Sequence, residues 1–472
     1  MTVADIINKP VTKPRILVQL DIGRFNFQWV NIGAGIWCLY IEADYPFVDS
    51  SLLDSFSVQT FTNVGSVTVD GILQIKSDTL LGITNQQGYW YYNPDDKALF
   101  VSLINFDEPS LHDISIGIIY GYSFNEFTPV GDNQLYEGRL LTAPEISSSR
   151  DPLYWGKMAF DAGNISLING DGVLDSFAQD NDIYGNQARI YLGYDEIDIE
   201  DYLLLYTGLI ETVSIGEDSV SIQLSDKRKQ LTAPIQYSCS DLNALDAIVE
   251  ILTSAYPVEY TSTFFDITAW EEASLLVPNI TIDMQEQEPV IDVIQNICAS
   301  IFGLFLITPE GKYSFKIVDT TASAETVINR YDIFNRHIIN YDPSEVISSV
   351  KVGYNKDWAT TQNPYIYLID TSREEDVFLK YKTYNQKTFD TFLTSLSDAQ
   401  DFSDTILDYA EEVHGKGNIL VPMKYYSLDI GDLAEIEIYR EVQSLLGSKK
   451  SEIIKKSYDL DRALINFEYR FV

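Results

Sequence analysis

The chain has 472 residues, too many for one hydrophobic core, so roughly three or four domains are expected. Hydrophobic residues make up 45% of it and aromatic residues 13%, which excludes a disordered chain and favours strands with large contact surfaces. With 32 Lys and Arg against 70 Asp and Glu the formal net charge is -38, which excludes coating nucleic acid or an anionic membrane through a basic surface. The acidity is read either as keeping a β-rich protein soluble before assembly or as a surface that repels a polyanion.

Cys38, Cys239 and Cys298 are too few for a disulfide framework and are read as small core residues in a reduced compartment. The opening MTVADIINKPVTKPR lacks the apolar core of a signal peptide. The most apolar run, from Ile297 to Ile307, is far shorter than the roughly 20 residues a membrane span needs. A chain made and kept in a cytoplasm is expected, unless a larger particle carries it out.

In chain order, residues from Arg15 to Glu137 read as strands. Among them YWYYNPDDKALFVSLI is an aromatic strand turning at Asn93-Pro94-Asp95-Asp96 and returning. Tyr89, Trp90, Tyr91 and Tyr92 are read as alternating between a core and a subunit interface or, alternatively, as a platform on which sugars stack. NISLI and ARIYLGY are short strands, the first followed by the turn NGDG. Leu203 to Ile215 and Val220, Ile222 and Leu224 then form a hairpin around Gly216-Glu217-Asp218, with one wet face.

Helical spacing follows. One helix is expected over 240–255 with Ser240 as N-cap and Pro257 as stop, and one over 289–302 with Pro289 in its first turn and Gly303 as its end. A hairpin around Pro309-Glu310-Gly311 completes an α+β region. A third helix is expected over 398–414, with a capping box from Ser397 and Gln400 and a stripe of Ala399, Phe402, Ile406, Tyr409, Ala410 and Val413. The chain closes on AEIEI and LINFEYRF, where Ile465, Phe467, Tyr469 and Phe471 share a face.

The sequence shows no nucleophile elbow, P-loop, dinucleotide fingerprint or HExxH. His112, His337 and His414 are far apart, and NGDGVLD departs from a calcium loop at two positions, so it reads as a turn. Two carboxylates suffice for a glycosidase, but no spacing here selects a pair. No enzymatic activity, cofactor or metal is expected.

The order of YWYYNPDDKALFVSL, YEGRLLTAPEIS, GNISLINGDGVLD, RIYLGY, TGLIETV, VIQNICASIFGLFLITPEGKYSFKI and LDIGDLAEIEI resembles the baseplate hub or central tail-tip proteins of bacteriophages, from about Gly88 onward. The resemblance implies a mainly β, multi-domain chain with two tube-like antiparallel β-barrels and smaller α+β domains. It implies segments at 1–137 (β), 138–238 (first barrel), 239–330 (α+β), 331–417 (mixed, holding the 398–414 helix) and 418–472 (strands completing the second barrel). It also implies a homotrimeric ring continuing the tail tube, in a virion tail assembled in the host cytoplasm. Partners would be the tail tube or distal tail protein, a tip spike or central fibre, and the tape-measure protein, with DNA passing unbound and any lytic activity on another chain. Interface candidates are Tyr89, Trp90, Tyr91, Tyr92, Ile222, Leu224, Phe467 and Tyr469. The competing expectation is a receptor- or carbohydrate-binding tail protein.

Overall fold

The computed structural model describes residues 15–24, 30–33, 36–40, 64–69, 72–73, 75–76, 89–93, 98–102, 114–129, 136–150, 162–175, 183–194, 197–256, 258–324, 326–336, 338–360, 364–438 and 447–472. The fold is mainly β, with large antiparallel sheets. It divides into two compact units, Met1–Pro144 with Asn164–Leu224, and Glu145–Gly163 with Ser225–Val472. The stretch expected as a first barrel is thus shared between them.

In the first unit one sheet runs in the order Ala162–Ile168, Ser219–Ser225, Leu203–Ile215, Gln187–Gly193, Arg15–Arg24, Ile114–Tyr122, Val64–Val69 and Ile72–Leu73. The expected hairpin around Gly216-Glu217-Asp218 is present, with Gly216 N donating to Ser219 O at 2.8 Å. Val220, Ile222 and Leu224 are buried while Gln223 between them is exposed, so period-two alternation sets the buried face. Gly193 has a steric reason to be glycine, because a Cβ there would lie 2.2 Å from the Tyr202 ring. Tyr202 packs with Leu17, Tyr136, Tyr194 and Ile197 in a small aromatic cluster, and its hydroxyl donates to Tyr194 O at 3.1 Å. A second sheet holds Val30–Gly33, Ile36–Tyr40, Ala98–Ser102, Tyr89–Asn93 and Ile75–Lys76. The aromatic strand and its return are therefore paired as expected, from Tyr89↔Ser102 to Asn93↔Ala98.

The second unit contains a compact α+β core. The Ala244–Ala255 helix starts later than expected: Ser240 lies in the strand Ser238–Asn243, and Asn243 is the cap, accepting from Leu245 N at 3.0 Å. Pro257 lies outside the described residues. Pro289 stands at the N-cap of Val290–Ser300 instead of in its first turn. That helix is left through Phe302 in the left-handed region, φ 56°, before Gly303 opens the next strand. Val290, Ile294, Ile297 and Ile301 form the buried face, as their spacing requires, and pack with Phe265, Trp270 and Phe315. Within this unit buried Arg228 ties the chain to that core, clamping Asp226 with Nε at 3.1 Å and donating from Nη1 to Phe305 O at 2.6 Å.

A three-stranded sheet, Ile366–Asp370, Ser349–Tyr354 and Gln386–Asp390, carries the Leu396–Ala410 helix. This helix begins and ends earlier than the expected 398–414. Its cap is Ser395, which accepts from Asp398 N at 3.0 Å, and Val413 and His414 lie beyond its end. The stripe survives the shift, since Ala399, Phe402, Ile406, Tyr409 and Ala410 are all buried.

The C-terminal strands enclose the remaining core. Gly447–Asp459 and Leu464–Phe471 form a hairpin, with Ile465, Phe467 and Tyr469 fully buried. Leu433–Ile438 flanks it on one side and Gly415–Pro422 on the other. One upstream segment then reaches both outer strands: Thr326–Ile328 pairs parallel with Leu433–Ile438, and Ile339–Tyr341 pairs antiparallel with Gly415–Pro422. The row of strands therefore begins and ends on residues 326–341, which act as a strap between its two edges.

Candidate assembly surface

The strap is held to the neighbouring strands by backbone and side-chain hydrogen bonds. Phe334 N donates to Leu420 O at 2.9 Å. Asn335 matches the same strand from its side chain, donating Nδ2 to Asn418 O at 3.1 Å and accepting from Leu420 N at 2.7 Å. Near the other end, Tyr425 OH donates to Asp332 Oδ2 at 2.7 Å, and Lys424 pairs with the same oxygen at 2.8 Å. Burial alone would raise the Asp332 pKa, but Lys424 and Tyr425 hold it below the ordinary carboxylate value. Arg330 N donates to Glu437 Oε2 at 3.2 Å.

With the backbone pinned, the side chains sort sharply. Ile328 is fully buried, whereas Val327, Tyr331, Phe334, Ile338 and Tyr341 are exposed, Tyr331 by 89% and Phe334 by 61%. Five large apolar side chains within fifteen residues make a contiguous-sequence apolar strip of the kind that marks an interaction site. The strip is also basic for this chain: residues 326–341 hold two Arg and one Asp, within a protein of net charge -38. Arg330 and Arg336 are both exposed.

The second unit is also locked by a buried ionic group. Arg150 pairs with Glu452, and Tyr409 OH donates to the other Glu452 oxygen at 3.0 Å. Arg470 lies 3.8 Å over the Tyr409 ring and donates to Tyr409 O at 3.0 Å. The group ties the end of the Leu396–Ala410 helix to both strands of the C-terminal hairpin. His414 sits beside it, its ring centroid 6.3 Å from that of Tyr409. Burial, and then the Arg470 charge, push its pKa down to about 4.

The expected interface residues fall elsewhere. Ile222, Leu224, Phe467 and Tyr469 are buried in the chain's own cores, at most 2% exposed, and so offer no free surface. Their alternation placed them on one face correctly, but that face points inward. The side chains of Tyr89, Trp90, Tyr91 and Tyr92 lie outside the described residues, although their strand is seen. Phe467 and Tyr469 share the strap's row of strands, separated from it by Gly415–Pro422. What the sequence reading missed is the strap itself, since its apolar residues follow neither a helical nor a strand period. The available signal was a run of eight Val, Ile, Phe and Tyr among sixteen residues, with two Arg, in an acidic chain.

Other candidate chemistry resolves into structure. In the NGDG loop, Asn169 accepts from Leu174 N at 2.8 Å and donates to Asp175 Oδ1 at 2.7 Å, while Gly172 takes φ +70°. Arg139 forks Asp171 at 2.8 and 3.0 Å. Among the described residues no group of three or more His, Cys, Asp or Glu is arranged to hold a metal ion, and no helix is long and apolar enough to cross a membrane. Several aromatic faces are covered by the chain's own cations: Lys356 lies 3.7 Å over Trp358 and Lys351 3.9 Å over Tyr367.

Comparison with known proteins gives the following. No family model matches the sequence, and no curated protein matches it. Among solved structures, it is similar to a tail protein from Neisseria meningitidis MC58, at 14% identity and TM-score 0.47, over 69% of this chain and 91% of that one. It is similar to a prophage MuSo2 43 kDa tail protein from Shewanella oneidensis, at 11% identity and TM-score 0.43, over 72% and 95%. It is also similar to the prophage tail protein gp18 from Listeria monocytogenes EGD-e, at 11% identity and TM-score 0.42, over 73% and 93%.

Proposed function

We propose that this chain is the structural, non-enzymatic hub of a bacteriophage tail tip or baseplate, in which three copies form a ring that continues the tail tube and leaves a channel for DNA. The observation that carries the reading is the second unit's row of strands, whose two edges are bridged by a single strap with an apolar, exposed outer side. A row of strands whose two outer strands are both covered by one segment suits a tube wall, because covering those strands protects edges along which open sheets aggregate. The order of motifs along the sequence points the same way. Partners of the ring would be the tail tube or distal tail protein above, a spike or central fibre below, and the tape-measure protein within. A negative channel lining would disfavour phosphate adhesion, so the net charge of -38 suits DNA that must pass without binding.

Electron-microscopy class averages of the purified full chain test this. The expected result is a three-fold ring with a central bore wide enough for duplex DNA. Particles without three-fold symmetry, or with a filled centre, would overturn it.

A further inference from the structure

The strap's apolar strip is pinned by backbone and side-chain hydrogen bonds, so it is presented in one fixed geometry and ordering it costs little on binding. Its own residues carry the sign opposite to that of the protein as a whole: two exposed Arg against one Asp, with Lys424 paired to the Asp and Glu437 accepting from Arg330 N, in a chain of 70 acidic and 32 basic residues. Any second copy therefore offers mostly acidic surface, which is complementary to Arg330 and Arg336. A second copy cannot offer its own strap equally well. A two-fold contact places the same patch on both sides, and here it would set arginines against arginines.

We propose that the strap, 326–341, is one half of a head-to-tail contact between copies of this chain, with Tyr331 and Phe334 as anchors and Arg330 and Arg336 selecting an acidic face on the next copy. This rests on the ring-forming reading and specifies which surface builds the ring. A heterologous contact of this kind closes into a ring when its rotation permits, whereas a strap-to-strap contact would stop at a dimer.

The test uses the full chain and light scattering across a concentration series. The double variant R330E/R336E is compared with the wild type and with Tyr331→Ser, which removes an anchor without touching charge. Thermal melts matching the wild type show that the exposed substitutions leave the fold intact. Both variants are expected to weaken self-association about thirtyfold or more, as loss of an interface anchor does. Because R330E/R336E keeps its acidic face, in excess it is expected to bind wild-type straps and limit the growth of wild-type assemblies by capping their strap end. Self-association equal to the wild type in both variants would overturn the strap assignment while leaving the ring-forming reading in place. A wild-type assembly that stops at a two-fold dimer, or a variant that fails to pair with wild type, would overturn the head-to-tail geometry. A wild type that stays monomeric at every concentration would instead sink the ring-forming reading, and the strap assignment with it.

Discussion

Two stretches of the second unit, both rich in Ile, Phe and Tyr, have opposite fates. The C-terminal hairpin turns its core face inward, with 0% exposure at Ile465, Phe467 and Tyr469 and half-burial at Tyr458 and Phe471. The strap, hydrogen-bonded to the neighbouring strands of the same sheet, leaves Tyr331, Phe334, Ile338 and Tyr341 in solvent. The difference lies in period. Strict alternation lets one face of a strand go inward and the other stay wet. An apolar run without alternation cannot turn every large side chain inward, so the surplus faces out and becomes a surface another chain can cover.

Breaking the inward side should give the largest effects. Arg150→Ala leaves Glu452 buried without its ion-pair partner, and should destabilise the second unit by about 3–5 kcal/mol in denaturant unfolding. Phe467→Ala should cost about 3–5 kcal/mol through the cavity it opens. Phe334→Ala, in contrast, should change monomer stability by no more than about 0.5 kcal/mol. If Phe334→Ala proved as costly as Phe467→Ala, the contrast between hairpin and strap would fail.

Smaller effects sharpen the same contrast. Asn169 is fully buried and serves the first unit's NGDG loop as both donor and acceptor, so Asn169→Ala should cost about 1–3 kcal/mol by orphaning Leu174 N. The pH profile reports on the hairpin's ionic group. The folded protein keeps His414 neutral down to about pH 4, whereas an unfolded chain protonates it near 6.5. The unfolded state therefore binds the extra proton first, and His414's contribution lowers stability as pH falls from about 6.5 to about 4. His414→Gln should flatten the profile across that window in thermal melts; an unchanged slope would show that His414 is not the titrating group.

Much of the fold was legible wherever one physical rule acted alone. The alternation of Val220, Ile222 and Leu224 and of Ile465, Phe467 and Tyr469 gave strands and the correct buried face. The stripe from Ala399 to Ala410 gave the long helix. Helix starts were less legible because neighbouring residues compete as caps: Asn243 outdoes Ser240, which is drawn into a strand, and Ser395 outdoes Ser397. The strap was not legible, because pairing 326–328 with 434–436 and 339–341 with 415–417 depends on contacts some 75 to 110 residues apart. The buried group of Arg150, Glu452, Tyr409 and Arg470 was invisible for the same reason: its members come from three distant parts of the chain.

Side-chain footprinting of the full-length wild type, read at dilute and concentrated conditions, distinguishes assembly through the strap from assembly through the hairpin face. Tyr331, Phe334 and Tyr341 are expected to react strongly when dilute and to become protected on assembly, while Phe467 and Tyr469 stay unreactive throughout. Protection that appears at Phe467 and Tyr469, with the strap equally reactive in both conditions, would contradict assembly through the strap.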